Sequence, residues 1–275
     1  MTQRHELDDH RRKLSEIRSI MHSMKTLAVM ETHKLDRYIE AQKLIIESIR
    51  NMAADFLHFH PQVLPEAEPV ANIIILIGSE RGFCGDFNEQ LVAQLDYSFA
   101  KKIQHNTMIV AVGRKLHPLL KENNHNTVYI EGANVAEEIA SVVESLAQSL
   151  ASHEQVASLY VLHHNNQHND LIKKKLLPPF EETNHENVLL TNPPILNLTY
   201  KDFFLELTDH YLFSALNRIL YVSLMFENQR RIQHLENATH YLDEKQDELN
   251  RKINTLRQEE IIEEIEVILL NTTMS

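Results

Sequence analysis

Glycine and proline, the two strongest breakers of regular structure, are confined to the middle of this chain. All five glycines lie between Gly78 and Gly132, and all eight prolines between Pro61 and Pro194. Residues 1–60 and 195–275 contain neither. Two terminal segments of that length without a breaker predict long uninterrupted helices, flanking a middle that turns often.

Apolar periodicity agrees. In the first segment Leu14, Ile17, Met21, Met24, Ala28, Leu35, Tyr38, Ile45, Ile49, Met52 and Phe56 fall on a 3-4 spacing, with Glu31 and Gln42 in the same series. In the last segment Leu212, Ala215, Ile219, Val222 and Phe226 make one stripe. Ile232, Leu235, Thr239, Leu242, Gln246, Leu249, Ile253 and Leu256 make a second, and the pattern then moves to Ile261, Ile265 and Ile268. Such heptad-like stripes are the seams of paired helices. A helix over roughly 70 residues would run on the order of 100 Å at 1.5 Å per residue. A helix of that length needs a partner, and the other terminal segment is the nearest one.

The middle changes period. Asn72–Gly78, Met108–Gly113 and Leu159–His163 are short apolar runs, with Thr127–Ile130 a shorter candidate. Helical stretches lie between them, at Asn88–Lys102, Lys115–Glu122 and Val135–Ala151. Short buried strands alternating with helices predict a parallel sheet covered on both faces. The expected fold class is therefore α/β: a long antiparallel coiled coil of N- and C-terminal helices plus a central Rossmann-like α/β domain. The expected divisions are a helix over 1–60, the α/β domain over 70–200 and a helix over 201–275.

Composition excludes several functions. The net charge is −12 with no long block of one sign, so no basic face for nucleic acid is expected. No run approaches the roughly 20 apolar residues of a membrane span. The first residues, Met1 to Lys13, are polar and lack the apolar core of a signal peptide, so a chain that is intracellular and soluble, or bound to a membrane complex through other subunits, is expected. Cys84 is the only cysteine, so no intramolecular disulfide can form.

Four places could carry chemistry. The turn Ser79–Asn88 (SERGFCGDFN) sits where open α/β sheets bind ligands. It lacks the G-x-G-x-x-G and G-K-[ST] fingerprints and reads as a tight strand-to-helix turn. Cys84 has no histidine signature around it and reads as a small packing residue. His163, His164 and His168, with Asn165, Asn166, Gln167 and Asn169, read as a solvated loop at a strand end rather than a metal site. Glu259, Glu260, Glu263, Glu264 and Glu266 around Ile261, Ile262 and Ile265 read as a solvated helix face beside an apolar seam. No cofactor is expected. From the residues alone two readings stay open: a Rossmann-like nucleotide-binding enzyme with a coiled-coil dimerisation arm, and a coiled-coil adaptor.

Four stretches together resemble one family, the gamma subunits of F-type ATP synthases. Ser23-Met24-Lys25-Thr26-Leu27-Ala28 is similar to the family's A-M-[KE]-M-V-A. The turn SERGFCGDFN is similar to S-D-R-G-L-C-G-G-x-N and is the most specific of the four. Glu227–Thr239 (ENQRRIQHLENAT) resembles S-E-x-x-A-R-M-x-A-M-x-x-A-T, and Asn254–Ile268 (NTLRQEEIIEEIEVI) resembles N-x-x-R-Q-x-x-I-T-x-E-I-x-E-I. Leu171–Pro179 (LIKKKLLPP) is a weaker match to the L-L-P stretch that follows a late strand. The chain departs from the pattern at Glu80, Phe83, Asp86, Phe87 and Ile262, and in the bulkier seam of Ile232, His234, Leu235 and Leu242. It resembles a divergent branch, such as the alternate bacterial F-type ATPases, and lacks the cysteine-bearing insertion of chloroplast members.

The resemblance implies a non-catalytic central-stalk rotor that couples ion-driven rotation to ATP synthesis or hydrolysis. The implied partners are the alpha and beta subunits, an epsilon subunit and the membrane rotor ring, without direct membrane insertion. The implied location is the cytoplasmic face of a bacterial inner membrane. Residues matching the family's beta-contact and coupling positions are Met24, Lys25, Arg231, Arg257, Gln258, Glu264 and Ile268; Lys25, being charged, is expected to point outward. The matching turn residues in the globular part are Ser79, Arg81, Gly82, Cys84, Gly85 and Asn88.

Overall fold

A computed structural model describes residues 2–64, 72–99, 107–122, 127–151, 158–165, 171–180 and 192–273. Helix α1 spans Thr2–Phe59 and helix α5 spans Tyr200–Thr273. Between them lie β1 (Asn72–Ile77), α2 (Phe87–Phe99), β2 (Thr107–Val112), α3 (His117–Glu122), β3 (Thr127–Ile130), α4 (Ile139–Ala151), β4 (Ser158–His164) and β5 (Leu171–Leu177). The chain divides into two compact units, Met1–Val29 with Arg231–Ser275, and Met30–Arg230.

The larger unit is built on a five-stranded sheet of order β3-β2-β1-β4-β5. β1, β2, β3 and β4 pair in parallel, as their apolar runs predict. β5 pairs antiparallel to β4 and makes the sheet mixed. The LIKKKLL segment is thus a strand itself rather than a stretch following one. Three successive lysines hide it from an apolar-run search, and they suit an edge, where charge discourages further strand pairing.

Alternation along the strands divides the core in two. Ile73, Ile75 and Ile77 of β1, Val110 and Val112 of β2, and Leu159 and Val161 of β4 pack with α1, α4 and α5. Ile74, Leu76, Ile109, Ala111 and Leu162 face the other way, onto α2 and α3. Residues 219–228 of α5 are buried on every side, the pattern of a helix enclosed by its own domain. Buried polar residues of α5 bond locally: Thr208 Oγ1 donates to Phe204 O and Asn228 Nδ2 to Leu224 O, four residues back in each case.

The seam of α1 within this unit runs Leu35, Ile39, Gln42, Ile46, Ile49, Ala53, Phe56. Ile45 and Met52, placed in the seam by periodicity, are exposed instead, and Tyr38 keeps only one ring face against α5. Glu31, Leu35 and Ile39 are spaced by two successive steps of four. That stutter rotates the stripe by one position and locally unwinds a supercoil. The helices run antiparallel here, since Tyr38 stacks on Tyr221 at 5.1 Å and Phe56 meets Phe203 at 4.8 Å.

The smaller unit pairs the start of α1 with the latter part of α5, also antiparallel. Arg4 contacts Glu260, Arg18 contacts Asp243 and Lys25 contacts Glu236. Leu235, Leu249 and Ile253 are buried in its seam, at the positions the second C-terminal stripe predicts.

Candidate functional site

The turn Ser79–Asn88 leaves the carboxyl end of β1 and enters α2. Its two ends are clasped. The Ser79 N–H donates to Asn88 Oδ1 at 3.0 Å, and Asn88 Nδ2 donates back to Ser79 Oγ at 2.9 Å. Gly78, just before the turn, has no room for a side chain: an added Cβ would lie 2.6 Å from Leu116 Cβ. Gly113 takes φ +103 and its Cβ would strike the Gly78 backbone at 2.8 Å. These glycines let the ends of β1 and β2 approach closely.

Arg81 Nε donates to Asn134 Oδ1 at 2.8 Å. Gly82 is half-buried, and Gly85 takes φ +65 in open space. Phe83 takes φ +65 as well and is exposed, a left-handed conformation that costs a bulky residue about 1 kcal/mol or more. Cys84 is buried; its Sγ approaches Gly82 O at 3.4 Å and Glu227 Oε1 at 3.9 Å. It is a packing residue, as its surroundings in sequence suggest. Asp86 accepts from Gln90 and from the Arg230 guanidinium. The Gln90 hydrogen bond and then Arg230 hold its carboxyl below the usual range against the opposing effect of burial.

Open α/β sheets take ligands outside the carboxyl ends of their strands, at the point where strand order reverses. Here that point lies between β1 and β4, and the chain's own side chains fill it. The His164 ring lies 4.0 Å from Phe87 and 4.9 Å from Phe226, nearly parallel to the latter. His164 Nε2 donates to Phe87 O at 2.8 Å. Beside it, over β2 and β3, the buried Glu80 carboxylate accepts from the backbone N–H groups of Arg114 and Gly132, each at 2.9 Å. These are donors of the kind that cradle a phosphate, and they are already satisfied.

His163 and His164 therefore differ from the expectation of a solvated loop. Both lie in β4 and both are buried, because the strand runs one residue further than its apolar run suggests. Burial pushes each imidazole down to about 4. His168, Asn166, Gln167 and Asn169 lie outside the described residues. Among the described residues no group of three or more His, Cys, Asp or Glu could hold a metal ion.

The other candidate residues occupy the smaller unit. Met24 and Lys25 are half-buried on α1. Lys25 reaches α5, where its Nζ donates to Glu236 Oε1 at 2.9 Å, rather than pointing outward. Arg231 is buried, while Arg257, Gln258, Glu264 and Ile268 are exposed on α5. From 231 to 268 the helix rises roughly 55 Å at 1.5 Å per residue. These side chains line a helix and do not converge on one cleft. In the last turns Ile261, Ile262, Ile265, Val267, Ile268 and Leu269 are all exposed, so this apolar surface covers successive faces of the helix.

The fold and this site define a class: a protein that pairs its two chain ends as antiparallel helices and carries an α/β domain with a filled ligand crevice. An ATP synthase family model matches residues 3–270. The chain belongs to the ATP synthase family, where its place is that of the gamma chain, the central-stalk subunit. The ATP synthase gamma chain of Rickettsia akari is 24% identical over 266 residues, covering 90% of this chain and 91% of that one. That of Fusobacterium nucleatum is 23% identical, covering 94% and 95%. Among solved structures, the rotor of the Euglena gracilis mitochondrial ATP synthase shares the fold, with a TM-score of 0.62 at 17% identity, over 94% of this chain and 99% of that one. The central stalk and c-ring structure from Tetrahymena thermophila gives 0.58 at 14%, over 80% and 99%.

Proposed function

We propose that this chain makes and breaks no bond itself and acts as the rotating shaft of a bacterial F-type ATPase. The observation that carries this reading is the crevice between β1 and β4. The position where a Rossmann-like enzyme would hold its nucleotide is packed with Phe87, His164 and Phe226, and the adjacent backbone donors serve Glu80. An enzyme reading with a coiled-coil arm needs that space open.

In the proposed arrangement the segments 1–60 and 201–275 form the shaft, inside a ring of alpha and beta subunits. The region 70–200 forms the foot, against an epsilon subunit and the membrane rotor ring. Rotation presents different faces of the shaft to each beta subunit and so changes which nucleotide state is favoured, a population shift driven mechanically. Met24, Lys25, Arg231, Arg257, Gln258, Glu264 and Ile268 are the proposed contact and coupling positions. The exposed apolar residues from Ile261 to Leu269 suit a bearing that grips no single face. Among the described residues no helix is long and apolar enough to cross a membrane, which is in keeping with attachment through other subunits at the cytoplasmic face of the inner membrane.

The test is co-assembly. Expressed with its own alpha and beta subunits, the chain should yield a stable ATP-hydrolysing complex whose hydrolysis drives ion movement once joined to the membrane sector. Failure to co-assemble would sink the proposal. Equilibrium dialysis of the isolated chain against nucleotides should show no tight binding.

A further inference from the structure

The paired helices of the smaller unit have a thin apolar seam. Among its described residues the buried apolar side chains are Ala28, Leu235, Leu249 and Ile253. Thr239 and Gln246 stand at seam positions between them, half-buried. A seam with so few knobs specifies register weakly, and charged residues beside a seam are the usual second determinant.

Four basic residues recur at intervals of seven along α1: Arg4, Arg11, Arg18 and Lys25. Each reaches α5. Arg4 Nη1 donates to Glu260 Oε2 at 2.7 Å, Arg11 Nη1 to Asn250 Oδ1 at 3.2 Å and Lys25 Nζ to Glu236 Oε1 at 2.9 Å. Arg18 engages both carboxylate oxygens of Asp243 through Nε and Nη2, the forked geometry that adds direction to an ion pair. Between Asn250, Asp243 and Glu236 the acceptors also step by seven, in the opposite sense. Ion pairing holds the Asp243 and Glu260 carboxyls below their ordinary range, first through the hydrogen bonds from Arg18 and Arg4.

The alternatives are set by the sequence. The observed register gives the four cations three carboxylates and one amide. A slip of one heptad in one sense takes Arg4 from Glu260 to Val267, places Arg11 opposite Arg257 and Arg18 opposite Asn250, and leaves one carboxylate, Asp243. A slip in the other sense leaves two, Asp243 and Glu236, with Arg4 opposite Ile253. Each exposed pair contributes little by itself, but all four favour one register over its neighbours.

We propose that Arg4, Arg11, Arg18 and Lys25 form a register-setting ladder, and that they are positioning residues for the paired helices. The consequence for coupling rests on the shaft reading above, because a shaft whose strands slip cannot transmit torque. The register itself does not rest on that reading.

The experiment places spin labels at Glu16→Cys and Asp247→Cys in the full chain with Cys84→Ser, and reads the distance distribution by pulsed electron resonance. The parent should give one narrow distance. Arg18→Glu should broaden or split it, since a one-heptad slip displaces the labels by about 10 Å. Arg18→Glu with Asp243→Arg should restore the narrow distribution, which a loss of general helix stability would not do. A distribution unchanged by Arg18→Glu, or one that the exchanged pair fails to restore, overturns the proposal. In the assembled complex the ratio of ions moved to ATP hydrolysed should fall several-fold in Arg18→Glu and recover in the exchanged pair. Restored distances with a ratio that never moved would uphold the register and count against the shaft.

Discussion

Acid should loosen the α/β unit through two buried histidines. His163 and His164 are buried at the end of β4, and burial takes both from 6.5 to about 4. His163 Nδ1 donates to His164 O at 2.9 Å and faces Arg218 and Lys174, which further disfavour its charged form. His164 lies between two aromatic rings with Arg230 and Asp86 nearby, and its Nδ1 has no partner among the described residues. The folded pKa is depressed, so between about 4 and 6.5 the unfolded chain binds more protons than the folded one. Stability therefore falls as pH drops through that window and levels off below it. Integrated from pH 7.5 to 4.5, each histidine loses the fold about 2–3 kcal/mol, or on the order of 5 kcal/mol for the pair. That is a large share of a typical domain's net stability. Urea denaturation followed by circular dichroism at several pH values measures it. His164→Phe should lose about 1–3 kcal/mol at pH 7.5, from the bereft Phe87 carbonyl, yet show roughly half the parent's acid sensitivity. Imidazole resonances that titrate near 6.5 in the folded chain, or an unchanged pH slope in His164→Phe, would refute the reasoning.

Other perturbations test the turn and the seam. Gly78→Ala should destabilise by about 1–3 kcal/mol through overpacking, because its Cβ would meet Leu116 and the Asn88 clasp; denaturant midpoints check it. Phe87→Ala should cost about 3–5 kcal/mol as a cavity at a fully buried site, and the loss should show in the melting of the α/β unit. Glu80→Ala should cost about 1–3 kcal/mol by stranding the Arg114 and Gly132 N–H groups. Its crevice can then be challenged with inorganic phosphate in a thermal-shift assay. Arg257→Ala and Gln258→Ala, on an exposed face, should change the isolated chain's stability by no more than about 0.5 kcal/mol while altering the coupling ratio of the assembled complex.

Much of this was legible in the sequence because the strongest signals are local. Gly and Pro placement located α1 and α5, and four apolar runs located β1 to β4. The less legible features depend on which residues meet. β5 is not legible as a strand because Lys173, Lys174 and Lys175 interrupt any apolar run, and charge of that kind suits an edge. A regular heptad puts Ile45 and Met52 in the seam, whereas the second step of four, from Leu35 to Ile39, moves it to Ile46 and Ala53. His163 and His164 looked solvated beside a polar loop, since only the meeting of Phe87 and Phe226, 139 residues apart in the chain, makes an apolar sleeve for His164. The same limit bears on function. The turn's glycines are equally suited to holding a phosphate and to packing two strand ends closely. What separates the two is whether the donors beyond the strands are vacant, and Glu80, an acid in a loop by sequence, occupies them only once β2 and β3 bring Arg114 and Gly132 to it.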